Sequence, residues 1–105
     1  MSGSIARIYD GMIEASARRY RREVHLPRIL HLFPHELKRR DRVGRLRILG
    51  KIRLAARAER RRGLLDHWSY AQNRHLALLG AFRAECRAFK DRTLLAAILE
   101  ESDEN

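Results

Sequence analysis

The sequence predicts an all-α fold: a small antiparallel bundle of three main helices with one or two short ones. Three observations carry that expectation. Apolar residues recur at three- and four-residue steps through most of the chain, no segment alternates apolar and polar residues between turn signals, and proline occurs only at 27 and 34. Short connections between the long segments favour antiparallel neighbours.

The first segment has Ile5, Ile8, Met12, Ile13, Ala17, Tyr20 and Val24 at helical spacing, so a helix is expected over about 4–25, with Ser4 as N-cap. Gly11 weakens it by roughly 1 kcal/mol relative to alanine without forbidding it. His25-Leu26 should end the helix, because a residue before proline is pushed out of the α region. Pro27 then opens a short turn through Ile29, Leu30 and Phe33.

Pro34 suits the first position of the next helix, where its missing N–H costs nothing. Nothing interrupts helix from there to Arg62. Leu37, Ile48, Leu49, Ile52, Ala55 and Ala56 gather on about one third of its circumference, and arginines fill most of the rest. Val43, Leu46 and Leu54 stray into the basic arc, Lys38 and Arg45 into the apolar one. Gly44 and Gly50 mark a close crossing or a kink, and Gly63 after three arginines marks the C-terminus.

The third long segment has the most regular period. Trp68, Ala71, His75, Leu79, Phe82, Cys86 and Phe89 form a heptad-like seam, expected as core or as the interface of a homo-oligomer, with Asp66 as N-cap. Leu94, Leu95, Ile98 and Leu99 suggest one further turn or two, capped by Asp91. The domain organisation expected is one bundle over 1–99 and an acidic tail over 100–105.

Composition narrows the function classes. The 105 residues are 45% hydrophobic and 34% charged, too apolar for a disordered polycation and too charged for a membrane span. The N-terminus lacks a signal-peptide layout, and Cys86 stands alone, so a reducing, cytoplasmic setting is expected. The net charge is +10, from 23 Lys and Arg against 13 Asp and Glu. Residues 38–62 hold twelve bases and two acids, a net +10, and the remainder balances. Arginine outnumbers lysine by 20 to 3, which suits bidentate phosphate contacts or reflects GC-rich codons.

Catalysis is not expected. His31 and His35 have the i, i+4 spacing of zinc ligands, but Pro34 lies between them and no third ligand follows, so no metal is assigned. Cys86 lies eleven residues from His75, about 16 Å along a helix, too far for a dyad. There is no glycine-rich phosphate loop and no GxSxG, so no cofactor is expected.

The basic segment is the functional candidate. Phosphate contacts to DNA or RNA are expected from Arg39, Arg40, Arg42, Arg47, Arg53, Arg57, Arg60 and Arg61, joined by Arg18, Arg19, Arg21 and Arg22. No zinc finger, aromatic RNP string or helix-turn-helix is legible, and only Tyr20 stands amid arginines, which argues against a base-stacking platform. The alternatives are a basic face that docks an acidic protein, and a face that is merely solvated.

Tyr20-Arg21-Arg22-Glu23 with Leu26-Pro27-Arg28-Ile29-Leu30, then Glu59-Arg60-Arg61-Arg62-Gly63, Trp68-Ser69, Arg74-His75 and Leu78-Leu79-Gly80-Ala81-Phe82-Arg83-Ala84-Glu85, resemble a family of small uncharacterised helical proteins of alphaproteobacteria. The resemblance spans about two thirds of the chain. It implies a helical fold and a bacterial origin, but no activity. Phe33-Pro34 before a basic helix also resembles the four-helix accessory proteins of diversity-generating retroelements, basic oligomers that work with nucleic acid. The third helix departs from theirs, and their Gly-rich ending is missing.

Overall fold

The fold is all-α. In a computed structural model, which describes residues 2–67 and 70–89, five helices follow one another and no strand occurs among the described residues. They are α1 (Ser2–Arg19), α2 (Arg22–Ile29), α3 (Pro34–Lys38), α4 (Arg42–Leu64) and α5 (Gln72–Ala88). Trp68, Asp91, the apolar residues Leu94 to Leu99 and the tail over 100–105 lie outside the described residues.

Helix α5 is the centre. Both α1 and α4 pack on it; α2 also lies along it, with Arg22 on Glu85 and the Ile29 carbonyl accepting from Arg74, and α3 packs on α2. Helix α4 leads into α5 through a short connection and runs back along it, Gly63 lying against Tyr70 and Glu59 reaching Arg74. The core joins Leu26 of α2, Ile48, Ile52 and Ala56 of α4, and Leu78 and Ala81 of α5. Leu49 is also fully buried. Burying each large apolar side chain of this set contributes about 1.5–3 kcal/mol.

Two breaks fall where neither proline nor glycine marks them. The first helix ends at Arg19, and Arg21 is extended, at φ −132° and ψ 120°. Residues two apart point about 200° apart on a helix but to the same side of extended chain. The break therefore aims Tyr20 and Arg22 together at Glu85. The stop expected at His25-Leu26 does not occur, and Pro27, expected to open a new turn, sits inside α2. Packing overrides the local preference, since Leu26 is wholly buried and its carbonyl accepts the Leu30 N–H at 3.0 Å.

The basic helix expected from Pro34 to Arg62 is likewise two helices, parted at Arg39–Asp41. Carbonyls that a continuous helix would have used accept guanidinium donors instead. Arg22 donates to Arg39 O at 2.5 Å, Arg40 to Leu37 O at 2.9 Å and Arg45 to Arg40 O at 2.7 Å. Gly44 is required by this corner, since a Cβ there would stand 2.6 Å from the Arg39 Cβ.

The end of α4 also differs from expectation. Gly63 lies within the helix, where the Tyr70 ring leaves no room for a Cβ. The terminating residue is Asp66, expected as an N-cap but held at φ 51°. The Asp66 N–H bonds Gly63 O and the His67 N–H bonds Arg62 O, the paired pattern of a Schellman end with aspartate in the left-handed position. Helix α5 accordingly starts at Gln72.

On α5 the buried row is Leu78, Ala81 and Glu85, beside the expected seam. His75, Leu79, Phe82 and Cys86 are half-buried on its flank, and of the described seam residues only Phe89 is buried. Gly80 faces α1 so closely that a Cβ would lie 2.2 Å from Ser16 Oγ and 3.0 Å from Ala17 N. Gly80→Ala should thus lower stability by about 1–3 kcal/mol. Gly50→Ala, where a Cβ meets nothing within 4 Å, should raise it by about 0.5–1 kcal/mol. Urea midpoints of the two variants check both, and shifts of the same sign would refute the contrast.

Candidate nucleic-acid interface

The acidic residues decide which arginines can meet a ligand. Among the described residues three glutamates are buried, each held by a cation. Glu85 receives Arg22 Nε at 2.8 Å and Nη2 at 2.5 Å, with Tyr20 Oη donating at 2.7 Å. Glu59 receives Arg62 at 2.9 Å, Arg74 at 3.3 Å and the Ala71 N–H at 3.3 Å. Glu36 receives Lys51 at 2.6 Å and the Phe33 N–H at 3.1 Å. On the surface, Glu14 gathers Arg87, Arg83 and Arg18, and Arg83 reaches on to Asp10.

This pairing sorts the twelve candidate arginines. Arg22 is buried at 5% exposure and faces no solvent. Arg18 pairs with Glu14, Arg39 with Asp41 and Arg40 with Glu23, and Arg42 and Arg53 are engaged within the chain as well. Arg19, Arg21, Arg47, Arg57, Arg60 and Arg61 make no ion pair among the described residues.

Four of those six lie on α4. Val43, Arg47, Gly50, Leu54, Arg57 and Arg61 follow one another at steps of 4, 3, 4, 3 and 4, so they share one face. That face points away from the core: Val43 is 54% exposed and Leu54 63%. Of the basic arc expected of this segment, the outer row of α4 holds Arg47, Arg57 and Arg61, together with the apolar strays Val43 and Leu54. Arg47 to Arg61 spans about 21 Å. Arg19 and Arg21 sit at the first break, beside Arg22, whose guanidinium bonds the corner before α4.

The glutamates that do the sorting were not singled out from the sequence. Their signal was present: Glu59 falls on the same arc as Ile48 and Ile52, and Glu85 continues the row of Leu78 and Ala81. An acid on an apolar arc implies a buried cation partner, because an unpaired buried carboxylate is too costly to keep.

Protonation follows from these contacts. Hydrogen bonding from Arg62, aided by the Ala71 N–H and Arg74, holds the Glu59 carboxyl down at about 2. The folded state thus binds fewer protons than the unfolded chain, whose glutamates titrate near 4.3. Stability from this group should be full above about pH 5 and decline as pH falls toward 2. Glu59→Gln should flatten that decline in acid urea titrations, and a slope matching the parent would refute the role.

Chemistry elsewhere is sparse. Burial pushes the Cys86 thiol up to about 11, leaving little thiolate at neutral pH. Burial also lowers the His75 pKa, and Tyr70 Oη lies 3.2 Å from its Nδ1. Leu79, Phe82 and Cys86 line an open groove of about 410 Å³ with Ile13, Arg83 and Arg87. No group of three metal-ligating side chains occurs among the described residues. His31 and His35 are exposed, with α3 opening between them. No helix of the described residues is long and apolar enough to cross a membrane. The chain matches no protein family, no curated protein and no solved structure.

Proposed function

We propose that the protein is a non-catalytic nucleic-acid-binding protein that holds phosphates with Arg47, Arg57 and Arg61 on the outer side of α4, with Arg60, Arg19 and Arg21 in support. The observation that carries this reading is the sorting of charge: carboxylates engage the arginines of the interior and the corner, while those of the outer row make no ion pair among the described residues. A duplex carries about one charge per 1.7 Å of axis, so a row of about 21 Å faces roughly a dozen phosphates. Four to six phosphate contacts imply a slope of log K against log salt between about −4 and −5. Anisotropy titrations from about 50 to 200 mM salt test this. Absence of binding at the low end would refute it.

One observation favours a second reading, an accessory module that docks an acidic protein. Val43 and Leu54 are exposed in the same row as the arginines, and apolar residues mixed with arginine suit protein interfaces. A partner that co-purifies after nuclease treatment, with no nucleic acid bound, would favour it.

A further inference from the structure

Phe33 is the most exposed aromatic residue of the described chain, at 68%. Tyr20 is bonded to Glu85 and Tyr70 packs on Gly63, whereas the Phe33 ring covers nothing in the core. Its backbone is nevertheless firmly set. Phe33 is the residue before α3, Pro34 follows it, and its N–H donates to Glu36 Oε1 at 3.1 Å. Lys51 on α4 grips the other oxygen of that carboxylate at 2.6 Å. The ring lies nearly parallel to the His35 imidazole, with centroids 5.7 Å apart and planes 7° apart. An exposed, pre-positioned ring backed by a second ring is poised to receive a third in offset stacking.

Cations lie on the neighbouring turns of α3 and α4. Lys38 lies three residues from His35 on α3, and both are exposed. Arg47 is one turn from Lys51 on α4 and lines a small cleft with Glu36 and Arg39. Neither Lys38 nor Arg47 makes an ion pair among the described residues. Aromatic stacking beside a basic track is how sequence-tolerant proteins hold single strands.

We infer that Phe33, backed by His35, seats one unpaired nucleobase, with Lys38 and Arg47 on the flanking phosphates. This rests on the phosphate-binding reading above and names its ligand class: the strand is single where it passes α3. Folding joins the Phe33 backbone to Lys51 through the Glu36 carboxylate and sets Arg47 along the same cleft as Glu36, across the α3–α4 corner, a neighbourhood that the sequence keeps fourteen or more residues apart.

The test uses the full chain with labelled thymidine and uridine strands of about twelve nucleotides, and a blunt duplex of the same length. Phe33→Ala should weaken both single strands roughly tenfold and leave the duplex unchanged, and Phe33→Trp should restore the loss. Stacking needs no 2′-hydroxyl, so the two strands should respond alike. Arg47→Glu should weaken all three probes. Unchanged circular dichroism checks that Phe33→Ala still folds. An equal loss on the duplex, or no loss anywhere, overturns the base seat. Duplex binding by the parent with Phe33→Ala inert overturns the base seat but leaves the phosphate reading standing. A parent that binds no probe at about 50 mM salt overturns both.

Discussion

Replacing Arg22 with alanine should lower the stability of the fold by about 3–5 kcal/mol, the usual cost of stripping one partner from a buried ion pair. Arg22 and Glu85 have side chains 4% and 5% exposed, and the guanidinium also holds the carbonyl of Arg39. Its loss leaves a desolvated carboxylate bonded, among the described residues, by the Tyr20 hydroxyl alone, and frees a carbonyl at the α3–α4 corner. A domain of this size has only about 5–15 kcal/mol in hand, so the variant should be largely unfolded well below the parent's melting temperature. The double variant Arg22→Met with Glu85→Leu removes both charges and should recover much of the loss. Urea denaturation of the three proteins decides it. A single-variant loss under about 1 kcal/mol would mean that water reaches the pair.

Reversing Arg47, Arg57 and Arg61 to glutamate should weaken nucleic-acid binding by at least about a hundredfold at low salt. The slope of log K against log salt should become shallower by about 2.7, the share of three phosphates. Stability should hardly move, because none of the three makes an ion pair among the described residues and surface substitutions usually stay within about 0.5 kcal/mol. The comparison variant is Arg18→Glu, whose parent side chain pairs with Glu14, and its effect on binding should be small. Equal losses from the triple and the single variant would refute the outer row as the interface.

Much of the architecture was legible because helical spacing survives in the chain as apolar period. The long helices stand where Ile8 to Ala17, Ile48 to Ala56 and Leu78 to Phe89 repeat. The breaks at Tyr20–Arg21 and Arg39–Asp41 were not legible, because their cause is distant: Tyr20 and Arg22 must both meet Glu85, and Arg22 must meet Arg39 O. The seam on α5 was read one position off its buried row for a related reason. Glu85 sits in that row, so a polar letter hid the core and the flanking apolar letters took its place. The basic face was legible as a segment, but not as a subset of arginines, since the carboxylates that claim the rest are scattered from Glu14 to Glu85.

The tie between Arg22 and Glu85 also orders events in time. Glu59 meets Ala71 across 12 residues and Arg74 across 15, whereas Arg22 meets Glu85 across 63. Closing the longer loop costs about 1.5 kcal/mol more in chain entropy than closing a loop of twelve. The α4–α5 hairpin should therefore assemble first, with α1 and α2 arriving as a latch. In reverse, the latch lets go first, so amides of α1 should exchange with solvent deuterium while those of α4 and α5 stay protected.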